Sequence, residues 1–250
     1  MSDARGNAGN SRRVCLLTGA GGRLGSAFCI AHAADYDVVA VYRERPPPVA
    51  SQLQSFLDPL HPEVPPPENA HPVFAVQADL VAPGGVERVV ELAMARFGAV
   101  DLVVNAAAHA EFGSTLANSE VLDGALHQLA VNTLAPVRLA AEVARQCWRH
   151  SPDGNRRRNR SVVNLSSISG VETYAGGQGV YAASKAALNA LTRHMALDYA
   201  PVGVRVNALA PTGFPRLIPT ERVVSRIVQF DRGGATGQVV VLDVDGERVL

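Results

Sequence analysis

Tyr181 and Lys185 stand four residues apart in the stretch Tyr181-Ala182-Ala183-Ser184-Lys185, which reads as helix and so puts a phenol and an amine on one face. A free phenol, with a pKa of about 10, is a poor proton donor at neutral pH, and an adjacent ammonium stabilises the phenolate and moves the group toward acid/base work. The pair is a proton-transfer device in outline. Composition singles it out as well: of the 23 basic residues one is a lysine, Lys185, and the rest are arginines. An amine can tune its pKa by burial whereas a guanidinium stays charged.

The elements that must position this pair alternate between strand and helix. Residues 14–18 form an apolar run leading into Gly19-Ala20-Gly21-Gly22-Arg23-Leu24-Gly25, and 26–34 reads as helix. Such a turn lets the backbone approach a pyrophosphate at a helix start, although the same glycines would also suit a plain tight loop. The next strand, 37–42, ends in Tyr42-Arg43-Glu44-Arg45. An acid at this tip of a dinucleotide fold binds the ribose 2′-OH of NAD, and an arginine accommodates the 2′-phosphate of NADP. Arg43, with Arg23 in the first turn, therefore favours NADP(H), the alternative being arginines that solvate a loop mouth. Further strands are expected at 73–77, 100–104, 161–165, 204–209 and 238–242, and helices at 85–97, 122–150, 180–199 and 220–230. The pattern predicts a single Rossmann-like α/β domain over 13–250, a doubly wound parallel sheet of about seven strands with ligands at the carboxyl ends. Asp79 and Asn105 sit at such ends. Asn132, between Val131 and Thr133 in an apolar stretch, is either a satisfied structural amide or a functional one.

A chain of 250 residues with 47% hydrophobic content can bury one large core. Its formal charge of zero leaves no global field to recruit nucleic acid or an anionic membrane. Residues 1–12 are small and polar, expected to be disordered, and no run is long enough to span a bilayer. Cys15, Cys29 and Cys147 lie far apart without metal-ligand spacing, as expected for reduced thiols of a cytoplasmic protein with no metal site. Three proline clusters make 46–72 an exposed excursion around a short helical candidate at 49–57. The run Arg156, Arg157, Arg158 and Arg160 reads as a solvated connection rather than a phosphate or RNA patch.

From 14 to 246 the order of these pieces resembles the short-chain dehydrogenase/reductase family. Thr18-Gly19 with Arg23, Leu24 and Gly25 resembles its cofactor turn, in a variant similar to pteridine reductases. Asp79-Leu80 looks like its adenine contact, Asn105-Ala106-Ala107 stands for its Asn-Asn-Ala-Gly, and Pro211-Thr212 for its Pro-Gly. Asn132, Ser167, Tyr181 and Lys185 match its catalytic tetrad. The resemblance implies that Tyr181 protonates a substrate carbonyl oxygen held by Ser167, that Lys185 lowers the Tyr181 pKa and binds the nicotinamide ribose, and that Asn132 holds a water replacing the proton. It also implies cofactor contacts from Gly19, Arg23, Leu24, Gly25, Arg43, Asp79, Leu80, Asn105, Ala106, Tyr181, Lys185 and Pro211. The expected protein is an NADPH-dependent reductase of a small-molecule or carrier-bound ketone or imine, assembled as a homodimer or homotetramer.

Four departures qualify that expectation. Arg23 replaces a glycine, yet Ser167 stands where pteridine reductases carry Asp, and Ala110 stands where a pterin-stacking aromatic is expected; a pteridine-type reductase is a minor alternative. Ser167 is fourteen residues before Tyr181, one more than the family pattern, which keeps Ser166 and Ser169 as candidates. Thr212 is β-branched where a positive φ is expected. Finally, 213–219 is short where the family places a lid over the substrate. That shortness implies an open site, a covering partner, a bulky substrate, or a non-catalytic NADP-binding or scaffold protein.

Overall fold

The structure, a computed structural model, describes residues 12–53, 71–116 and 120–250. The N-terminal tail expected to be disordered and most of the proline-rich excursion lie outside the described residues. Among those described, the strands are β1 (Arg13–Thr18), β2 (Tyr36–Tyr42), β3 (Gln52–Leu53), β4 (Val73–Gln77), β5 (Leu102–Asn105), β6 (Ser161–Leu165), β7 (Arg205–Pro211), β8 (Val239–Leu242) and β9 (Glu247–Val249). They form one sheet in the order β3-β4-β2-β1-β5-β6-β7-β8-β9. All pairs are parallel except β8 with β9. The seven expected strands are present, and a short strand is added at each edge. Gln52 and Leu53 pair with Phe74 and Ala75, so these two residues of the helical candidate at 49–57 are strand instead.

The central strands β5 and β6 are buried along their whole length, and β1 from Val14 onward, as parallel strands covered on both faces must be. Their side chains alternate between two layers. Cys15 and Leu17 of β1 join Phe28, Val223 and Ile227 from helices α1 (Arg23–His32) and α8 (Thr220–Arg232). Val14 and Leu16 join the opposite layer with Val90, Leu139 and Met195. Those three come from α2 (Gly85–Phe97), α5 (Ala135–Val143) and α7 (Gly179–Tyr199). Both ends of α2 are glycines in the left-handed region, and the N–H of Gly98 closes its last turn on Met94 O.

The expected helix over 122–150 is interrupted. Helices α3 (Glu120–Asp123) and α4 (Ala125–Leu129) meet at Gly124, π-turns cover Ala130–Leu134 and Ala144–Trp148, and α5 lies between them. Pro136 accounts for the first interruption: it has no N–H to give the preceding turn, so the widened turn falls just ahead of it. A further short helix, α6 (Pro152–Arg157), takes in the first part of the arginine-rich connection, up to Arg157. This connection is not merely solvated, since Arg158 and Arg160 both bond the buried carboxylate of Asp101.

Candidate active site

Two cavities open along the carboxyl ends of the strands. The first, about 310 Å3, lies where the strand order reverses between β1 and β5, and its walls include Gly19, Gly21, Gly22, Arg43, Arg45, Asp79, Leu80, Ala106 and His109. The glycine turn is shaped by close approach. Gly19 has φ +69°, and a Cβ there would lie 2.8 Å from Ala106 O; at Gly21 it would lie 1.7 Å from Arg45 O. Only glycine lets these three chain segments meet with backbone facing the cleft. Gly22 caps α1 without a side-chain hydrogen bond, so no cap side chain takes the N–H groups of the first turn. Thr18 Oγ1 accepts from the N–H groups of Ala106 and Ala107, both at 3.1 Å, and fastens β1 to the loop after β5. A backbone cradle at a helix start, beside the end of β4, fits the pyrophosphate and adenosine portion of a dinucleotide.

The second cavity, about 390 Å3, lies over β6 and β7, and its walls include Phe112, Ser166, Ser167, Tyr174, Gln178, Tyr181, Pro211, Phe214 and Leu217. Tyr181 and Lys185 occupy the first turns of α7, with Lys185 Nζ 5.8 Å from the centre of the Tyr181 ring. The lysine is 2% exposed and donates to Leu165 O, at the end of β6, at 2.8 Å. Two residues beyond, Ser167 hydrogen-bonds the Tyr181 phenol and accepts the Ser169 N–H at 3.2 Å. Gly176 and Gly177, both at positive φ, lie in the turn between Ser167 and Tyr181. The neighbouring serines support rather than face the phenol: Ser166 Oγ donates to Lys185 O, and Ser169 Oγ to Gln178 Oε1.

Asn132 is fully buried in the π-turn. Its Oδ1 accepts the His109 N–H at 2.8 Å, while Nδ2 donates to His109 O at 2.8 Å and to Ser184 Oγ at 3.0 Å. Both amide N–H groups are thus spent on protein. Ser184 in turn donates to Tyr181 O at 2.6 Å, and Thr133 Oγ1 donates to Ser184 O at 2.8 Å. The π-turn therefore grips α7 at the residue before Lys185.

Burial governs both titrating groups. It pushes the Lys185 ammonium down to about 8, because a charge in a dry site loses solvation with no carboxylate to replace it. Burial also raises the Tyr181 phenol above its ordinary value, and the Ser167 hydrogen bond opposes that rise. The lowering of Tyr181 by Lys185 expected from the resemblance is not what this geometry produces: the amine donates to a backbone carbonyl, and desolvation outweighs it.

Of the expected cofactor contacts, Gly19, Arg43, Asp79, Leu80 and Ala106 wall the first cleft. Arg23 does not; it is exposed at the start of α1, whereas Arg45, whose backbone carbonyl lies against Gly21, is among the walls. Leu24 and Gly25 are buried beneath the turn, where a Cβ on Gly25 would lie 2.4 Å from Gly19 O. Asn105 works from behind the cleft, donating to Asn164 Oδ1 at 2.8 Å. Pro211 and Tyr181 wall the second cavity, and Lys185 is buried behind it. Thr212 is not among the positive-φ residues, and its N–H donates to Leu242 O. Sequence reasoning missed Ser184, Thr133 and Phe112, of which Ser184 alone carried a signal, lying between the two residues first singled out; Arg45 was named at the strand tip but not among the expected cofactor contacts.

Comparison with known proteins gives the family and the fold. The family model described as short chain dehydrogenase matches residues 13–215, and the chain belongs to the short-chain dehydrogenase/reductase family, whose members are oxidoreductases binding a nicotinamide cofactor. It is 30% identical over 203 residues to versicolorin reductase of Emericella nidulans, a match covering 80% of this chain and 68% of that protein. With human 3-hydroxyacyl-CoA dehydrogenase type-2 it is 32% identical over 143 residues, 56% of this chain and 54% of the relative. The chain spans about half or less of the length of the first curated relatives it matches. Among solved structures, a short chain dehydrogenase from Burkholderia cenocepacia in complex with NADP superposes with a TM-score of 0.71 at 22% identity, covering 93% of this chain and 96% of that one. That likeness concerns the fold.

Proposed function

We propose that this chain is an NADPH-dependent reductase of a ketone, with Tyr181 as the proton donor. The observation that carries the reading is the Tyr181 phenol, kept protonated by burial, bonded by Ser167 and walling an open cavity. A nicotinamide dinucleotide, when bound, supplies a hydride to the carbonyl carbon. Gly19, Gly21, Gly22, Asp79 and Ala106 would hold it, with Arg43 and Arg45 beside its ribose phosphate. Ser167 orients the carbonyl oxygen by hydrogen bonding, and Tyr181 Oη gives that oxygen its proton as negative charge develops there. Lys185, at about 8, exchanges protons near neutral pH and replenishes the phenol. Asn132 and Ser184 hold α7 and the loop after β5 in register. In the test, Tyr181→Phe lowers kcat by about a hundredfold or more while NADPH binding, followed by fluorescence, stays within twofold. Near-normal turnover in this variant overturns the assignment.

A further inference from the structure

We infer that the second cavity takes a neutral ketone bearing an aromatic ring, and that Phe112 is the residue selecting it. The inference rests on the reading of Tyr181 as proton donor and adds the substrate class. The two cavities differ in electrostatic character. Arg43, Glu44, Arg45, Asp79 and His109 all wall the first. Among the described residues, no Asp, Glu, His, Lys or Arg walls the second. A carboxylate or phosphate entering it would lose hydration with no cation to compensate. Lys185 does not change this, because it is buried behind the wall with its ammonium donating to Leu165 O.

The remaining walls set the uncharged polar groups of Ser166, Ser167, Ser169, Gln178 and Thr212 against the rings of Phe112, Tyr174, Tyr181 and Phe214 and the side chain of Leu217. Phe112, Leu217 and Tyr174 are 53%, 60% and 43% exposed, a cost that a water-facing surface does not ordinarily carry in one place. The Tyr174 hydroxyl is turned to Glu172, donating at 2.6 Å. Phe112 stands edge-on to the Tyr181 ring, centroids 5.4 Å apart at 89°, the geometry in which aromatic rings attract. Its backbone is held on both sides: the Glu111 N–H donates to Gln128 Oε1 at 2.6 Å, and the Gly113 N–H to Gly177 O at 3.0 Å. Gly177 must be glycine for this, since a Cβ there would lie 2.6 Å from Gly113 C. An exposed ring on an anchored backbone is preorganised for a second ring.

The test compares acetophenone with 4-acetylbenzoate, which differ by one carboxylate, under NADPH. The expected kcat/KM for acetophenone is about a hundredfold higher or more. Phe112→Ala raises KM for acetophenone about tenfold with kcat within twofold, and Phe112→Tyr restores it. Preference for the carboxylate, or a Phe112→Ala effect on kcat alone, overturns the inference while leaving the reductase reading intact. Acetophenone binding by calorimetry, weakened by Phe112→Ala but without turnover in the parent protein, sinks the reductase reading and keeps the substrate class. Neither binding nor turnover of acetophenone overturns the substrate class.

Discussion

The amine of Lys185 has to sit in a place that penalises its charge, and that tension is measurable without any substrate. Its pKa falls from 10.5 to about 8 on folding. Between those values the unfolded chain binds more protons than the native one, so this group makes stability rise with pH across about 8 to 10.5. Below pH 8 the full penalty of about 3 kcal/mol is present. Lys185→Met removes that penalty and gives up the bond to Leu165 O, worth about 1 kcal/mol. The cofactor-free variant is therefore expected to unfold at higher urea than the parent at pH 7, with the advantage closing by pH 10.5. An advantage that persists unchanged at pH 10.5 contradicts the assignment. Arg43 carries a second prediction at this scale. It is exposed and paired with Glu44 at 2.6 Å, so a ribose phosphate must draw it away. One charge-assisted contact is worth roughly 1.5 to 3 kcal/mol, and Arg43→Ala is expected to raise the Kd of NADPH about tenfold or more. The Kd of NADH should barely move, and equal weakening of both would detach Arg43 from the phosphate.

Single side chains act here because elements hold them, and the π-turn at Ala130–Leu134 holds most. Through Asn132 it fixes the backbone of His109, and through Asn132 and Thr133 it fixes α7 at Ser184. Asn132→Ala leaves the half-buried N–H and C=O of His109 without their partner, a loss of about 1 to 2 kcal/mol. Hydrogen exchange at the His109 amide should accelerate by about tenfold or more; an unchanged rate would mean that the loop after β5 is held by other ties. The sequence showed much of this frame. Gly19, Tyr181 and Lys185 were legible because each belongs to a local pattern, a glycine turn or a helical spacing, whereas Ser167 came only from the family resemblance. The expected helix over 122–150 followed apolar periodicity and passed over Pro136, beside which the structure widens the turn. Ser184 to Thr133 spans 51 residues and Glu111 to Gln128 spans 17, and no local spacing encodes such partners. Strands β3 and β9, at two and three residues, are too short to display a period of two. Arg45 rather than Arg23 beside the cleft depends on how closely Gly21 approaches a neighbouring strand end, which is a tertiary fact.

Across the whole molecule the sheet has two ends with opposite constructions. At the carboxyl end lie the cavities. At the amino end, buried carboxylates tie the first residues of the strands together. Asp231 accepts from Arg13 at 2.7 Å, Tyr36 at 2.8 Å and Ser161 at 3.2 Å. These are the first residues of β1, β2 and β6. Asp101, directly before β5 and fully buried, accepts from Arg158 at 2.6 Å, Arg160 at 3.2 Å and the Val14 N–H at 3.1 Å. Burial alone would raise its carboxyl, but the Arg158 hydrogen bond, the Val14 N–H and the charges of Arg158 and Arg13 together hold it below the ordinary value. A depressed carboxylate contributes stability that is present above its unfolded pKa and lost as pH falls through the folded one. Breaking one member of such a cluster leaves Arg160, mostly buried, and Arg158, partly exposed, without their carboxylate, a loss of about 2 to 4 kcal/mol once the solvent screening of Arg158 is allowed for. Asp101→Asn is accordingly expected to lower Tm at pH 7 by about 10 °C, with a smaller further loss on acidification than the parent shows. Because the cluster sits at the end of the sheet opposite Tyr181, kcat and KM measured well below Tm should match the parent. A variant as stable as the parent would show these ties to be neutral, and one that kept its stability but lost turnover would show that the two ends of the sheet are coupled.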